Sequence, residues 1–117
     1  MAGRSLVELE LETLREWRKY YERPFYYARR IKAVARERDP EAKVVLFGSL
    51  VKGGMRPDSD IDVLVVTKLA RRVGDRLKLR VDIAREMGEC TPFEMHIVTP
   101  EEYEGWYRRF IDKHVTL

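Results

Sequence analysis

The segment from Phe47 to Val66, FGSLVKGGMRPDSDIDVLVV, most constrains what this chain can fold into. An apolar run ends at Gly48-Ser49, and ten residues later a second apolar run opens with Asp60-Ile61-Asp62. Each run has the branched apolar side chains of a buried β-strand. Because alternate side chains of a strand share a face, Asp60 and Asp62 should point the same way. The segment therefore predicts two strands joined by a glycine-rich connection, with two carboxylates at the start of the second strand.

These residues favour the binding of a metal ion and a phosphate. Two carboxylates held side by side repel each other, and a bound divalent cation removes that repulsion. Hard cations such as Mg²⁺ take oxygen ligands together with substrate phosphates. Gly48 lets the backbone approach an anion closely, and the amides of a helical turn after Ser49 can hold a phosphate. Such a pair of sites suits transfer of a nucleotidyl or phosphoryl group. The alternative is a surface turn followed by a strand that begins with two solvated aspartates.

The spacing Gly-Ser, ten residues, Asp-x-Asp resembles the signature of the minimal nucleotidyltransferases, the smallest members of the DNA polymerase β-like superfamily. Lys52-Gly53 matches the basic residue and glycine that this family usually carries, and Ser59 matches the usual residue before the first aspartate. Gly54 departs from the acidic residue that is often found there. The resemblance covers about residues 24 to 112.

Length and composition predict one globular domain over residues 1–117. Hydrophobic residues make up 44% and charged residues 37% of the chain, which is typical of a folded protein with one core. No apolar run is long enough for a membrane span, and the N-terminus leads into an amphipathic helix rather than a signal peptide. Cys90 is the sole cysteine, so no disulfide framework is expected. We therefore expect a cytoplasmic protein with no membrane partner.

The net charge of +3 is unevenly distributed. Residues 1–40 hold ten Lys and Arg against seven Asp and Glu, whereas residues 41–117 hold thirteen of each. A basic run also follows the second strand. Basic runs of this kind are usually solvated helix faces, and neither region has the interleaved aromatic side chains of single-strand binders. We do not predict nucleic acid as the main substrate.

Periodicity predicts a mixture of helices and strands. A capping box at Ser5 opens a helix to about Glu22, with an apolar stripe of Val7, Leu11, Leu14, Trp17 and Tyr21. A later helix, from about Arg71 to Met87, should bury the stripe Val73, Leu77, Val81, Ala84 and Met87. The other expected elements are a helix over 24–38, strands over 43–47, 61–66 and 92–98, and a last helix from Thr99-Pro100 to about Asp112.

This order of elements predicts an α/β or α+β fold, with a small mixed sheet of three or four strands flanked by helices. The resemblance narrows it to the polymerase β-like nucleotidyltransferase fold, with the helix at about 5–22 as an addition. We expect Trp106, Tyr107 and Phe110 to lie in the core. We assign no structure to His114, which lies in a short tail. The tyrosines near positions 20 and 27 should pack the N-terminal helices together, and part of that surface could instead bind a partner.

The third strand carries a further candidate pair. In the run Phe93 to Val98, alternation places Glu94 and His96 on one face. The resemblance implies that a third carboxylate at this position binds a metal and helps to deprotonate the attacking hydroxyl, and Glu94 matches that position. Which of Glu94 and His96 completes the metal site stays open. Both could also be ordinary residues on an exposed face.

The resemblance implies a nucleotidyltransferase (EC 2.7.7) that moves AMP from ATP to a hydroxyl with two Mg²⁺ ions on Asp60, Asp62 and Glu94. The phosphates would contact Gly48, Ser49, Lys52 and Arg56. It further implies an antitoxin that adenylylates a tyrosine of a HEPN-domain toxin. A catalytically silent nucleotide- or partner-binding module and an aminoglycoside-type enzyme are the alternatives. The sequence leaves open whether the chain forms a homo-oligomer or a hetero-oligomer.

Overall fold

The computed structural model of the protein describes residues 3, 5–53, 59–111 and 113–117, with the backbone alone at positions 49 and 110. The helices are α1 (Leu6–Glu22), α2 (Pro24–Arg38), α3 (Ser49–Lys52), α4 (Val73–Met87), α5 (Pro100–Glu102) and α6 (Arg108–Phe110). The strands are β1 (Lys43–Phe47), β2 (Ile61–Val66), β3 (Phe93–Val98) and β4 (His114–Thr116). A 3₁₀ turn spans Lys68–Arg71, and a π-helical turn, Tyr103–Tyr107, joins α5 to α6. Across this part of the chain, no helix is both long and apolar enough to cross a membrane.

The strands form one mixed sheet in the order β3-β2-β1-β4. β1 pairs antiparallel with both β2 and β4, whereas β2 and β3 are parallel. The parallel pair needs a crossover connection, which the 3₁₀ turn and α4 supply. This architecture confirms the predicted small mixed sheet flanked by helices.

The sheet is buried on both faces. One face packs against α2 and α4 through a cluster that includes Val44, Leu46, Ile61, Val63, Val65, Ile31, Leu79 and Ile83. The opposite face packs against the C-terminal helical segment through Val45, Leu64, Val66, Val98 and Tyr103. Strand β2 is therefore fully enclosed after Asp62, as its unbroken apolar run predicts.

The face of helix α4 that packs against the sheet differs from the face that we predict. Its buried residues are Leu79, Ile83 and Met87, so the prediction is confirmed for Met87, whereas Val73 and Leu77 of the predicted stripe are 69% and 56% exposed. The helix carries two apolar stripes, and periodicity alone does not say which one faces the sheet. The packing against α2 and the sheet selects the stripe that contains Leu79.

The C-terminal region differs from the sequence expectation in two ways. Residues 114–116 form the edge strand β4, paired with β1, although we assigned no structure to this tail. Trp106 is 56% exposed rather than buried in the core, whereas Tyr107 packs partly against the second cluster. The π-helical turn adds a residue to one helical turn, which changes the face on which the following side chains lie. The part of the prediction that concerns the side chain of Phe110 lies outside the described residues.

Helix α1 is fixed to the body through its C-terminal half. Trp17 Nε1 donates a hydrogen bond to the carbonyl of Cys90 at 3.1 Å, and Tyr20 Oη donates one to the carbonyl of Met87 at 3.0 Å. The tyrosine rings of positions 20 and 27 pack edge to face, with centroids 4.6 Å apart. The N-terminal half contributes little to this packing, because Val7 and Leu11 are exposed.

Candidate active site

Three ligand-type side chains converge at the start of β2 and β3. The parallel register places Asp62 opposite Glu94, and Leu64 opposite His96. One ligand atom from each of Asp62, Glu94 and His96 lies within 4.8 Å of the other two. Because alternate residues share a face, all three point to the sheet face that also carries Leu64. We call this group the acidic cluster.

The electrostatics of the acidic cluster favour a cation. Partial burial raises the pKa of the Asp62 carboxyl above its ordinary value, and the charges of Glu94 and Asp60 raise it further, against a lowering effect of His96. The imidazole Nε2 of His96 lies 3.8 Å from Oε1 of Glu94. A divalent cation between these groups would offset both the burial and the repulsion that make ionised Asp62 unfavourable.

Asp60 lies beside the acidic cluster rather than inside it. It is exposed, and it does not belong to the group whose ligand atoms lie within 4.8 Å of one another. Its charge nevertheless contributes to the raised pKa of Asp62. Rotation of an exposed side chain costs little, so Asp60 can serve as a further donor once a cation is present. The structure thus brings Asp62 and Glu94 together with His96, and it leaves Asp60 at the margin.

Gly48 holds the backbone against the Asp62 carboxylate. It follows Phe47, which pairs with Asp62 across the β1–β2 ladder, and its φ of 77° lies in the region that favours glycine. A Cβ added at this position would overlap Oδ2 of Asp62 and lie 3.1 Å from its Cγ. The carbonyl of Gly48 accepts hydrogen bonds from the amides of Val51 and Lys52, which closes the turn of α3. A glycine is therefore required both by the turn and by the carboxylate.

The other predicted phosphate contacts are only partly described. Ser49 begins α3 immediately after Gly48, and Lys52 ends that short helix with an exposed side chain. Arg56 and Gly54 lie outside the described residues. Lys68, another cation near the motif in sequence, lies at the opposite end of β2, where its backbone amide bonds to Asp39 at 3.2 Å.

Two contacts that the sequence does not signal position the acidic cluster. Tyr21 Oη on α1 donates a 2.6 Å hydrogen bond to the carbonyl of Ser59, the residue before Asp60. The amide of Ile61 donates to the carbonyl of Pro92 at 2.8 Å, which aligns the starts of β2 and β3. Helix α1 thus fixes the segment from which Asp60 projects.

Two aromatic rings lie near the imidazole of the acidic cluster. The ring centroid of His96 is 6.1 Å from that of Phe47 and 6.5 Å from that of Tyr107. The ring of Trp106 in turn lies 4.8 Å from that of Tyr107. The sequence pattern had assigned these C-terminal aromatic residues to the core, so the contact between Tyr107 and His96 depends on tertiary structure.

The donor set fits a divalent metal ion. Two carboxylates and one imidazole lie close enough to share an ion. The carboxylates suit Mg²⁺ or Mn²⁺, and an imidazole is a ligand typical of transition metals rather than of Mg²⁺. A cavity of about 590 Å³ lies elsewhere, at the opposite end of the sheet, where Asp39, Lys43, Lys68 and Tyr103 line it. It shares no lining residue with the acidic cluster. The donor geometry therefore indicates the site more directly than concavity does.

Comparison with known proteins agrees with the fold. The family of the nucleotidyltransferase domain matches residues 28–115. A crystal structure described as a "putative nucleotidyltransferase" shares 31% identity with a TM-score of 0.63, over 76% of this chain and 95% of that one. A second, described likewise and from Sulfolobus solfataricus, shares 20% identity with a TM-score of 0.52, over 98% of this chain and 87% of that one. A search of curated proteins found no match.

The mixed sheet and flanking helices define a nucleotidyltransferase fold, and the chain belongs to the nucleotidyltransferase domain family. The protein is therefore a transferase by family, and nucleoside triphosphates are the expected class of substrate. The matched region begins within α2, so α1 lies N-terminal to it.

Proposed function

We propose that the protein transfers AMP from ATP to a hydroxyl group, with Mg²⁺ bound by Asp60, Asp62 and Glu94. The observation that carries this proposal is the convergence of Asp62, Glu94 and His96 beside the Gly48 turn, in a chain of this family. The acidic cluster would bind the cation, and the backbone at Gly48 could approach the phosphates closely. When two Mg²⁺ ions are bound, they neutralise phosphate charge and lower the pKa of the attacking hydroxyl.

The residues of the chain then have separate roles. Gly48 and Ser49 bring backbone amides to the triphosphate, and Lys52 and Arg56 offset its negative charge. The acceptor oxygen forms a bond to the α-phosphorus while the bond from that phosphorus to the bridging oxygen breaks, and pyrophosphate leaves. Glu94 accepts the proton of the acceptor hydroxyl. Its carboxylate is half exposed, so it can reach an acceptor that arrives from solvent.

We further propose that the acceptor is a tyrosine of a partner protein of the HEPN class, and that the protein acts in the cytoplasm as the antitoxin of that toxin. The support is the resemblance to the minimal nucleotidyltransferases and the open setting of the acidic cluster. A docked partner would supply the orientation of the acceptor hydroxyl that a small open site lacks.

The experiment combines the protein with a cognate HEPN protein, Mg²⁺ and ATP labelled either at the α- or at the γ-phosphate. We expect α-label on a tyrosine of the HEPN protein and no transfer of γ-label, because nucleotidyl transfer retains only the α-phosphate. The variant Glu94→Gln, which keeps the side-chain volume, should remove labelling. Mass spectrometry identifies the modified residue.

Each contrary result points to a definite alternative. Transfer of γ-label would indicate a phosphoryl transferase. Labelling of an aminoglycoside, with the HEPN protein untouched, would favour a small-molecule enzyme. ATP binding without any transfer would favour a silent binding module.

A further inference from the structure

Exposed apolar side chains are concentrated in two helical stretches. Of the ten large hydrophobic residues that are exposed in the described part of the chain, seven lie on them. We call residues 6–16 of α1 the arm, which exposes Leu6, Val7, Leu9 and Leu11. We call Val73, Leu77 and Val81 of α4 the α4 stripe. Clustered exposed apolar residues of this kind mark interaction surfaces.

The arm is an apolar surface with acidic flanks. Its sequence LVELELETLRE contains four glutamates and one arginine. Val7 and Leu11 are one helical turn apart and share a face, with Glu8 and Glu10 on either side of it. Val7 is 64% exposed, and further along α1 the side chain of Trp17 donates a hydrogen bond to the carbonyl of Cys90. The arm therefore presents a negatively charged, apolar helical surface to solvent.

The α4 stripe is an apolar surface with basic flanks. Val73, Leu77 and Val81 follow one another at intervals of one turn, and Lys78, Arg80 and Arg85 lie beside them. Of the three acids of the same helix, Asp75 is exposed in the first turn, and the other two point elsewhere. Asp82 forms an ion pair with Arg38 at 2.6 Å, and Glu86 forms one with Arg30 at 2.7 Å, both across the α2–α4 contact. Because α2 engages these carboxylates, the outward face of α4 is predominantly positive.

We propose that the arm of one copy packs on the α4 stripe of a second copy, and that the second copy does the same in return. Both surfaces are exposed in this structure, so the arm does not cover the stripe of its own chain. Contact between two arms would oppose acid to acid, and contact between two stripes would oppose base to base. Only the arm-to-stripe pairing matches both apolar area and charge.

Reciprocal pairing closes the assembly as a two-fold dimer. Each chain carries one arm and one α4 stripe, so two copies satisfy all four surfaces, as in an isologous interface. Helix α4 lies on the sheet face opposite the one to which the acidic cluster points. The dimer would therefore leave the acidic cluster open. This inference does not depend on the proposed reaction and can fail separately from it.

Sedimentation equilibrium of the whole chain tests the dimer. We expect a mass of twice 13.9 kDa at micromolar concentration, with weaker association at high salt because the flanking charges are exposed. Leu77→Ser, at an exposed position, should raise the dissociation constant at least tenfold without loss of helical circular dichroism. A monomeric wild type at these concentrations, or an open series of larger species, would overturn the reciprocal pair.

A charge exchange between the two surfaces tests the pairing itself. Glu8→Lys with Glu10→Lys makes the arm basic, and Lys78→Glu with Arg85→Glu makes the α4 flank acidic. Each double variant alone should be monomeric, since its arm and its stripe then carry like charges. An equimolar mixture should form a heterodimer, because each arm again meets a stripe of opposite charge. Restored association in the mixture supports the pairing, and a mixture that stays monomeric overturns it.

Discussion

At the scale of single residues, the ionised side chain of Asp62 lowers the stability of the metal-free fold that contains it. Its pKa is raised by burial and then by the charges of Glu94 and Asp60, so the ionised carboxylate is disfavoured in the metal-free fold. Such costs are common where function requires like charges to converge. Asp62 also restricts the sequence at position 48, because its carboxylate occupies the space that any side chain larger than that of glycine would need.

Replacement of Asp62 by Asn should abolish transfer and stabilise the metal-free protein at neutral pH. Because the pKa of Asp62 is raised in the folded state, its protonation stabilises the fold at pH values below the ordinary pKa of 3.8. This stabilisation is lost as the pH rises through the raised pKa. The advantage of Asp62→Asn should therefore grow as the pH rises from 4 and then level off. Urea unfolding in the presence of a chelator, across this pH range, measures it. An equal stability difference at every pH would contradict the assignment.

The pKa of Asp39 is shifted in the opposite direction from that of Asp62. Burial alone would raise its pKa, but hydrogen bonds from Thr67 Oγ1 at 2.7 Å and from the amides of Glu41 and Lys68 outweigh burial and lower it. The sequence offered no reason to single out this residue beyond its place at the end of α2. It links that helix to the turn after β2.

Asp39→Asn should lower the free energy of unfolding at pH 7 by about 2 kcal/mol, since the amide has no charge and its nitrogen cannot accept the hydrogen bonds made to one of the two carboxylate oxygens. Because the pKa of Asp39 is lowered in the folded state, its ionised carboxylate stabilises the fold at pH values above the ordinary pKa of 3.8. This stabilisation disappears as the pH falls through the pKa of the folded state. The difference from wild type should therefore shrink in acid. Glu37→Gln, an exposed change on the same helix, is the control. A deficit that persists unchanged in acid would argue against the carboxylate as its cause.

At the scale of elements, α1 and α4 are the helices whose roles the tertiary structure redefined. Helix α1 lies outside the family-matched region, yet Tyr21 on this helix holds the carbonyl of Ser59 next to the acidic cluster. Helix α4 has two apolar stripes, of which one faces the sheet and the other faces solvent.

Tyr21→Phe should weaken binding of Mn²⁺ several-fold, because the segment before Asp60 loses its anchor to α1. Tyr20→Phe is a matched control, since it removes a hydrogen bond from the same helix to the carbonyl of Met87, away from the acidic cluster. Both variants should lose about 1 kcal/mol of stability, and only Tyr21→Phe should change the affinity measured by titration calorimetry. If the two variants bind Mn²⁺ alike, α1 has no part in positioning the site.

Leu79→Ala should destabilise the chain by about 2–5 kcal/mol, the range for a fully buried leucine, because it leaves a cavity between α4 and the sheet. Leu77→Ala, two residues away and 56% exposed, should change the stability of the monomer by less than about 0.5 kcal/mol. Urea denaturation at a concentration where the chain is monomeric compares them. If Leu77→Ala destabilised the chain more than Leu79→Ala, the helix orientation that periodicity alone predicts would be correct.

At the scale of the whole molecule, ligand binding and folding should be coupled through the acidic cluster. The strands that carry Asp62 and Glu94 are paired with each other, so an ion held by both residues would stabilise the pairing of β2 with β3. A ligand that binds only the folded state stabilises it by an amount set by its concentration and affinity.

Mn²⁺ or Mg²⁺ should therefore raise the melting temperature of the wild type, and a chelator should reverse the rise. At a hundred times the dissociation constant, the expected stabilisation is about 2.7 kcal/mol. Asp62→Asn and Glu94→Gln, which keep side-chain volume, should respond much less. Differential scanning calorimetry measures the shift. An undiminished rise in both variants would move the metal to another part of the chain.

The sequence by itself determined strands β1, β2 and β3, the position of the Asp-x-Asp pair and the class of fold. β1 and β2 begin and end at the predicted residues, because a short apolar run bounded by glycine or by charge has few alternatives to a buried strand. The helical turn after Gly48 was likewise predictable, since a motif with fixed spacing is a local property of the chain, whereas residues 54–58 of the glycine-rich connection lie outside the described residues.

Tertiary structure alone decided the rest. Whether Leu77 or Leu79 faces the sheet depends on which stripe fits between α2 and β2, and no local pattern contains that information. His96 joins Asp62 because parallel pairing sets their strands in register, and β4 forms because β1 has a free edge. These features depend on contacts between residues far apart in sequence, where packing and hydrogen bonding outweigh local preference.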